Sequence, residues 1–147
     1  MNDAMILVVD DNPDHLELIG MALGECCDAQ DIAMAADGVE ALDYLFGRSI
    51  HVARDTRRQP RLILLDMKLV RLHGLEVLKA IRADIRTRTL PVVMHSSSTE
   101  KSDIAGCYAH GANSYIRKAT DFDSLRRKMR HVHDFWMVVN ERNAWVA

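Results

Sequence analysis

The chain has 147 residues, with 19 Lys+Arg against 21 Asp+Glu and a formal charge of −2 at pH 7. A chain of this length can bury well over half of its unfolded surface in one core, so a single domain is expected, and near-balanced charge argues against a dominant nucleic-acid role. Apolar residues make up 48% and charged residues 27%, which excludes disorder and fibrous repeats, and no apolar run approaches the roughly 20 residues that span a bilayer.

Met1-Asn2-Asp3-Ala4 runs straight into Met5-Ile6-Leu7-Val8-Val9 with no basic lead or cleavage-like site, so export is not expected and the location is read as cytoplasmic. Cys26, Cys27 and Cys107 are odd in number and lack the spacing of a Cys-x-x-Cys motif or a zinc site, so they read as free thiols in a reducing compartment.

Met5 to Val9 has the continuous apolar character of a buried strand. Asn12-Pro13 then opens a helix, with Asn as N-cap and Pro at the first helical position, and Leu16, Ile19, Leu23 and Cys26 form its apolar face. Ile32 to Ala36 reads as a second strand ended by Asp37-Gly38, and Val39, Leu42, Leu45 and Phe46 as the face of a second helix. The polar, basic stretch Gly47 to Arg61 reads as a long loop.

Leu62-Ile63-Leu64-Leu65 is a third strand that stops at Asp66, and after a turn at Gly74 a third helix presents Leu75, Leu78 and Ile81. Pro91 opens a fourth strand, Val92 to His95, and the hydroxyl cluster Ser96 to Thr99 suits the end of a strand and the cap of a helix carrying Ile104, Cys107 and Tyr108. Asn113 to Arg117 is a short fifth strand. A last helix begins near Asp121, with Phe122, Leu125, Met129, Val132, Trp136 and Val139 spaced by threes and fours.

Strands alternating with helices imply a doubly wound α/β fold with a parallel sheet covered on both faces, and such sheets bind ligands outside the carboxyl ends of their strands. Four strand ends carry Asp10 and Asp11, Asp66, Ser96 and Lys118. Taken singly, each has an ordinary explanation as a turn residue, a cap or a solvated charge. Taken jointly, three carboxylates suit a hard divalent cation such as Mg²⁺, and a lysine and a hydroxyl beside that cation suit a phosphoryl group.

The runs Ile6-Leu7-Val8-Val9-Asp10-Asp11-Asn12-Pro13, Leu64-Leu65-Asp66-Met67 with Gly74, Pro91-Val92-Val93-Met94-His95-Ser96-Ser97, and Gly111 to Lys118 together resemble the receiver domain of two-component response regulators. The resemblance covers nearly the whole chain. It implies a flavodoxin-like fold with strand order 2-1-3-4-5. It also implies that Asp66 accepts a phosphoryl group from a histidine kinase and that Mg²⁺ is held by Asp10, Asp11, Asp66 and the backbone carbonyl of Lys68. In the same way it implies that Ser96 and Lys118 contact the phosphoryl oxygens and that Tyr115 is the switch aromatic, moving with Ser96. The family usually has Lys-Pro after the fifth strand, whereas this chain has Lys118-Ala119, which leaves open whether that bond is cis or trans and where Lys118 sits. Lys68 either assists a phosphate or lies in solvent. Alternation along the strand turns His95 away from Ser96, so His95 is read as a satisfied structural histidine rather than a ligand.

The domain is expected to occupy about 4–139, followed by a short tail at 140–147 and no output domain, so output falls to binding or phosphate relay. The long loop before the third strand and the segment His133-Asp134-Phe135-Trp136-Met137-Val138-Val139 resemble the stand-alone regulators paired with bacterial phytochrome kinases. That resemblance implies a homodimer through the fourth helix, fifth strand and fifth helix. The stripe Phe122, Leu125, Met129, Val132, Trp136 and Val139 is the candidate interface, against the alternative that it is the helix's own core face. A histidine phosphotransfer protein is a further partner, while the basic run Arg126-Arg127-Lys128-Arg130 reads as a solvated face, with no nucleic-acid or membrane partner expected. Two other readings compete: a degenerate receiver acting as an interaction scaffold, and an aspartyl-phosphate phosphohydrolase. Such hydrolases place a carboxylate two residues after the nucleophile, where this chain has Lys68.

Overall fold

A computed structural model describes residues 4–143; the opening 1–3 and the end of the expected tail, 144–147, lie outside the described residues. Five parallel strands, β1 (Ile6–Val9), β2 (Ile32–Ala35), β3 (Leu62–Leu65), β4 (Val92–Ser96) and β5 (Ser114–Arg117), form one sheet in the order β2-β1-β3-β4-β5. Helices α1 (Pro13–Leu23), α2 (Gly38–Phe46), α3 (Gly74–Ala83), α4 (Lys101–Ala109) and α5 (Phe122–His133) alternate with them, and a π-helical extension, Asp134–Val139, continues α5. This is the expected doubly wound, flavodoxin-like receiver fold.

Alternation of side chains across each strand splits the core in two. Leu7, Val9, Ile63, Leu65, Val92 and Met94 face α2, α3 and Cys107 of α4, whereas Ile6, Val8, Leu62, Leu64 and Val93 face α1 and α5. Strands β1 and β3 are buried at every position, as parallel strands between two helical layers must be, while the edge strands β2 and β5 are half-covered. Val9 pairs with Leu65 and Leu65 with Met94, so the carboxyl ends of the central strands are level.

The helix starts follow their capping chemistry. Asn12 accepts from the backbone N–H of Asp14 at 2.9 Å and of His15 at 3.3 Å, with Pro13 opening α1. Asp37 caps α2 through the N–H of Glu40 at 2.8 Å, and Asp121 caps α5 through that of Ser124 at 2.8 Å. A carboxylate or amide oxygen at this position satisfies N–H groups that have no partner within the helix.

Several expectations need correction. Cys26 lies past the end of α1. In α4 only Cys107 is buried, Ile104 is half-buried, and Tyr108 is exposed. The long loop contains a helical turn, Ser49–His51, and a buried residue, Arg54, which donates from Nε to the Tyr44 carbonyl at 2.8 Å with its guanidinium 3.9 Å from the centre of the Tyr44 ring. The α5 stripe points inward, because α5 packs on α1: Leu125, Met129 and Val132 are core, and Phe122 and Trp136 pack against the same core. Leu125, Met129 and Val132 are therefore the helix's own buried face, Phe122 and Trp136 are half-buried at its margin, and Val139 is exposed beside exposed Phe135 and Val138. Among the described residues the three cysteines are free, and no helix is long and apolar enough to cross a membrane.

Candidate functional site

The level strand ends bring Asp10 and Asp66 side by side. Each continues its ladder one residue beyond the strand: the Asp10 N–H donates to the Ala35 carbonyl at 3.1 Å and the Asp66 N–H to the Val9 carbonyl at 3.0 Å. Both carboxylates are buried, Asp11 is half-buried beside them, and one oxygen from each of the three lies within 4.8 Å of the others. Gly74 sits under this cluster. A Cβ there would fall 2.3 Å from the Asp66 carbonyl oxygen and 2.7 Å from the Met67 Cα, so only glycine lets α3 start this close to β3.

Lys118 enters from the opposite side. Its N–H donates to the Ser96 carbonyl at 2.9 Å, extending the β4–β5 ladder, and its ammonium reaches Asp66 Oδ2 at 2.8 Å and Asp10 Oδ2 at 2.9 Å. Among the described residues no peptide bond is cis, so Lys118–Ala119 is trans, and the lysine still reaches Asp66. The other Asp66 oxygen, Oδ1, accepts from the Lys68 N–H at 3.2 Å, and Asp10 Oδ1 accepts from the Asn12 N–H at 3.0 Å. The Lys68 side chain is exposed at the rim of the cluster.

Burial pushes the Asp66 pKa above the usual carboxylate value, and the Asp10 charge adds to this against the opposing pull of Lys118. For Lys118, burial works against the ammonium, but the bonds to Asp66 and Asp10 outweigh it and hold its pKa above the ordinary lysine value. The cluster thus holds three carboxylates against one ammonium, a donor set that fits a hard divalent cation.

Ser96 is buried at the end of β4, and its Oγ accepts from the Ser98 N–H at 3.2 Å. Tyr115, half-buried on β5, donates its hydroxyl to the Ser98 carbonyl at 2.9 Å. Ser98 in turn donates from Oγ to Asp103 of α4 at 2.6 Å. One short loop therefore joins Ser96, Tyr115 and α4, and Ser98 is a link that its hydroxyl-rich surroundings only hinted at.

His95 is buried, but among the described residues its Nε2 has no hydrogen-bond partner, which corrects the reading of a satisfied histidine. Burial first, and then the Lys118 charge, lower its pKa to about 4, so the ring is neutral at pH 7. The residue that sequence reasoning passed over is His15, whose Nδ1 lies 3.1 Å from Lys118 Nζ and 3.6 Å from Asp10 Oδ2. Its signal was available: it precedes Ile19 by one helical turn, so it shares that residue's inward face at the end of α1 nearest the strand ends.

The response regulator receiver domain family matches residues 6–130, and the chain belongs to it. The probable methanogenesis regulatory protein FilR2 of Methanothrix harundinacea (strain 6Ac) is 35% identical over 133 residues, spanning 90% of this chain and 83% of that protein. Among solved structures, the phosphorylated cyanobacterial phytochrome response regulator RcpA is similar with a TM-score of 0.86 at 30% identity, covering 95% of this chain and 97% of that one. The bacteriophytochrome response regulator RtBRR is similar with a TM-score of 0.74 at 37% identity, covering 96% and 84%. Receiver domains are signalling modules, and the resemblance to stand-alone phytochrome regulators stands with these matches.

Proposed function

We propose that this chain is a response regulator that accepts a phosphoryl group on Asp66 from a sensor histidine kinase, with a bacterial phytochrome kinase as the partner class. The observation that carries the reading is the convergence of Asp10, Asp11 and Asp66 within 4.8 Å, with Lys118 bonded to Asp66. The names of RcpA and RtBRR support the phytochrome pairing.

Asp66 attacks phosphorus through a carboxylate oxygen, the P–N bond of the donor phosphohistidine breaks, and the leaving imidazole takes up a proton from solvent, giving an acyl phosphate. Asp10, Asp11 and Asp66, with the backbone carbonyl of Lys68, would hold Mg²⁺, which supplies charge neutralisation for the incoming group. Lys118 turns its ammonium to a phosphoryl oxygen and Ser96 donates its hydroxyl to another. Moving Ser96 Oγ releases the Ser98 N–H and loosens the loop that ties Tyr115 and α4 to the site.

Turnover of external substrates is not part of this function, because the position two residues after Asp66 holds exposed Lys68 and no carboxylate. The chain acts as one cytoplasmic receiver unit, with output by dimerisation, partner binding or onward transfer to a histidine phosphotransfer protein. The homodimer face is that of α4, β5 and α5; exposed Tyr108 on α4, the edge position of β5, and exposed Phe135 and Val139 in the extension that follows α5 support this reading. Sedimentation of the unaltered protein and of Phe135→Glu tests the dimer, and a monomer in the unaltered protein overturns it.

The acceptor is tested by incubation with Mg²⁺ and acetyl phosphate, read by intact mass beside Asp66→Asn. A phosphate-sized gain that requires metal and is absent from the variant is expected. No gain under acetyl phosphate or a cognate kinase would leave the interaction scaffold as the reading.

A further inference from the structure

We propose that His15 is a positioning residue for Lys118, holding the ammonium through its third proton while the two carboxylates are engaged in phosphoryl chemistry. The inference rests on the reading of Asp66 as phosphoacceptor. An ammonium has three donors, and here three acceptors surround it: Asp66 Oδ2 at 2.8 Å, Asp10 Oδ2 at 2.9 Å and His15 Nδ1 at 3.1 Å. Two of these are carboxylates that phosphoryl transfer must redirect, Asp66 because it becomes the acyl phosphate and Asp10 because it is a candidate metal ligand. His15 takes part in neither event and is the one acceptor of the three that keeps its lone pair throughout.

The proposed contact makes a demand on the ring. A lysine ammonium has no lone pair, so the contact requires an unprotonated Nδ1 and places the proton on Nε2. An uncharged acceptor is suited to this task. It fixes the direction of the ammonium without competing by charge against a phosphoryl oxygen, as a third carboxylate would. The backbone that carries the imidazole is fixed: the His15 backbone N–H donates to the capping Asn12 Oδ1 at 3.3 Å, and Ile19, one turn on, is buried on the same helix face. The side chain is 44% exposed, so the contact is a steering interaction at the mouth of the site and not part of the core.

The test uses three substitutions that differ in where an acceptor stands. In His15→Asn the Oδ1 occupies the same bond count from Cβ as the imidazole Nδ1; in His15→Gln the acceptor sits one bond farther out; His15→Leu has none. With Mg²⁺ and acetyl phosphate, followed by intact mass over time, His15→Leu and His15→Gln should be phosphorylated about three- to tenfold more slowly than the unaltered chain, and His15→Asn within about twofold of it. A loss caused by general loosening of α1 would not separate Asn from Gln and Leu. In the Lys118→Met background the same His15→Leu change should alter the rate by less than about twofold, because the partner it serves is gone. Equal rates for all three variants, or a full His15→Leu effect that persists without Lys118, would overturn the proposal.

A second readout does not depend on phosphorylation. The ¹⁵N shifts of the His15 ring report its tautomer, and they should show protonated Nε2 with unprotonated Nδ1 in the unaltered chain and a mixture of tautomers in Lys118→Met. If the unaltered chain gains no phosphate, the acceptor reading fails, while these shifts still decide whether His15 holds Lys118. A tautomer mixture in both proteins refutes the contact.

Discussion

Replacing Lys118 by Met removes the one ammonium bonded to two buried carboxylates while roughly conserving side-chain length. Nζ lies 2.8 Å from Asp66 Oδ2 and 2.9 Å from Asp10 Oδ2. At an effective dielectric of about 20, each contact carries roughly 6 kcal/mol of gross attraction, and two carboxylates less than 5 Å apart repel by at least about 3 kcal/mol. Much of the attraction is offset by the cost of burying the ammonium, which methionine does not bear. What the substitution leaves is the repulsion, in the range of about 3–5 kcal/mol found when one partner of a buried pair is removed. We expect a loss of about 3 kcal/mol at pH 7.5 in EDTA, a fall in Tm of roughly 6–12 °C for a chain of this size.

Two features of that loss are specific to charge. Added Mg²⁺ should shrink the gap between variant and unaltered protein to within about 1 kcal/mol, because a divalent cation takes over the neutralisation. Lowering the pH should shrink it as well, since the Asp66 pKa is already raised and rises further without Lys118, so protonation removes the repulsion. Urea unfolding followed by far-UV circular dichroism, with EDTA or Mg²⁺ and at two pH values, measures all three quantities. A variant as stable as the unaltered protein in EDTA, or a deficit indifferent to both metal and pH, would refute the electrostatic account.

Asp66→Asn should raise Tm in EDTA at neutral pH. The folded pKa lies above the unfolded value, so ionisation costs stability as pH rises through it, and the advantage of Asn should vanish as pH falls toward 3.8. His95→Leu should flatten the acid side of the stability profile: the histidine falls from 6.5 to about 4 on folding, so the unaltered chain loses about 3 kcal/mol as pH drops across that window and the variant does not. Matched urea titrations from pH 7 to pH 4 show either a difference that grows toward acid or none, and none refutes it. Gly74→Ala should cost about 1–3 kcal/mol in urea unfolding and slow phosphorylation by acetyl phosphate, because its Cβ displaces the backbone that carries Asp66. Unchanged stability would mean that α3 does not need the close approach.

The acidic cluster was legible in the chain because doubly wound sheets present the residues just beyond their strands at one edge, and Asp10, Asp11 and Asp66 stand there in sequence. The capping signals Asn12-Pro13, Asp37 and Asp121 were equally local, each a polar oxygen beside N–H groups that lack a helical partner. His15 was not read because its role depends on a residue 103 positions away, and only the packing of α1 against α5, just before which Lys118 lies, makes them neighbours. Arg54 escaped for the same kind of reason: a basic loop residue looks solvated until the Tyr44 ring and carbonyl are seen to receive it.

The stripe on α5 shows the limit most directly. Spacing by threes and fours established that Leu125, Met129 and Val132 share a face, but periodicity is blind to what covers that face, and α1 covers it. Conversely, α4 looked amphipathic from Ile104, Cys107 and Tyr108, yet of these only Cys107 is buried. Hydrophobic pattern and strand-end position are local properties, so the sequence by itself determined the fold class and the acidic cluster. Register and helix docking are properties of the assembled chain, so only the tertiary structure decided that Lys118 reaches Asp66 across a trans bond, that His15 stands behind it, and which apolar residues remain open to a partner.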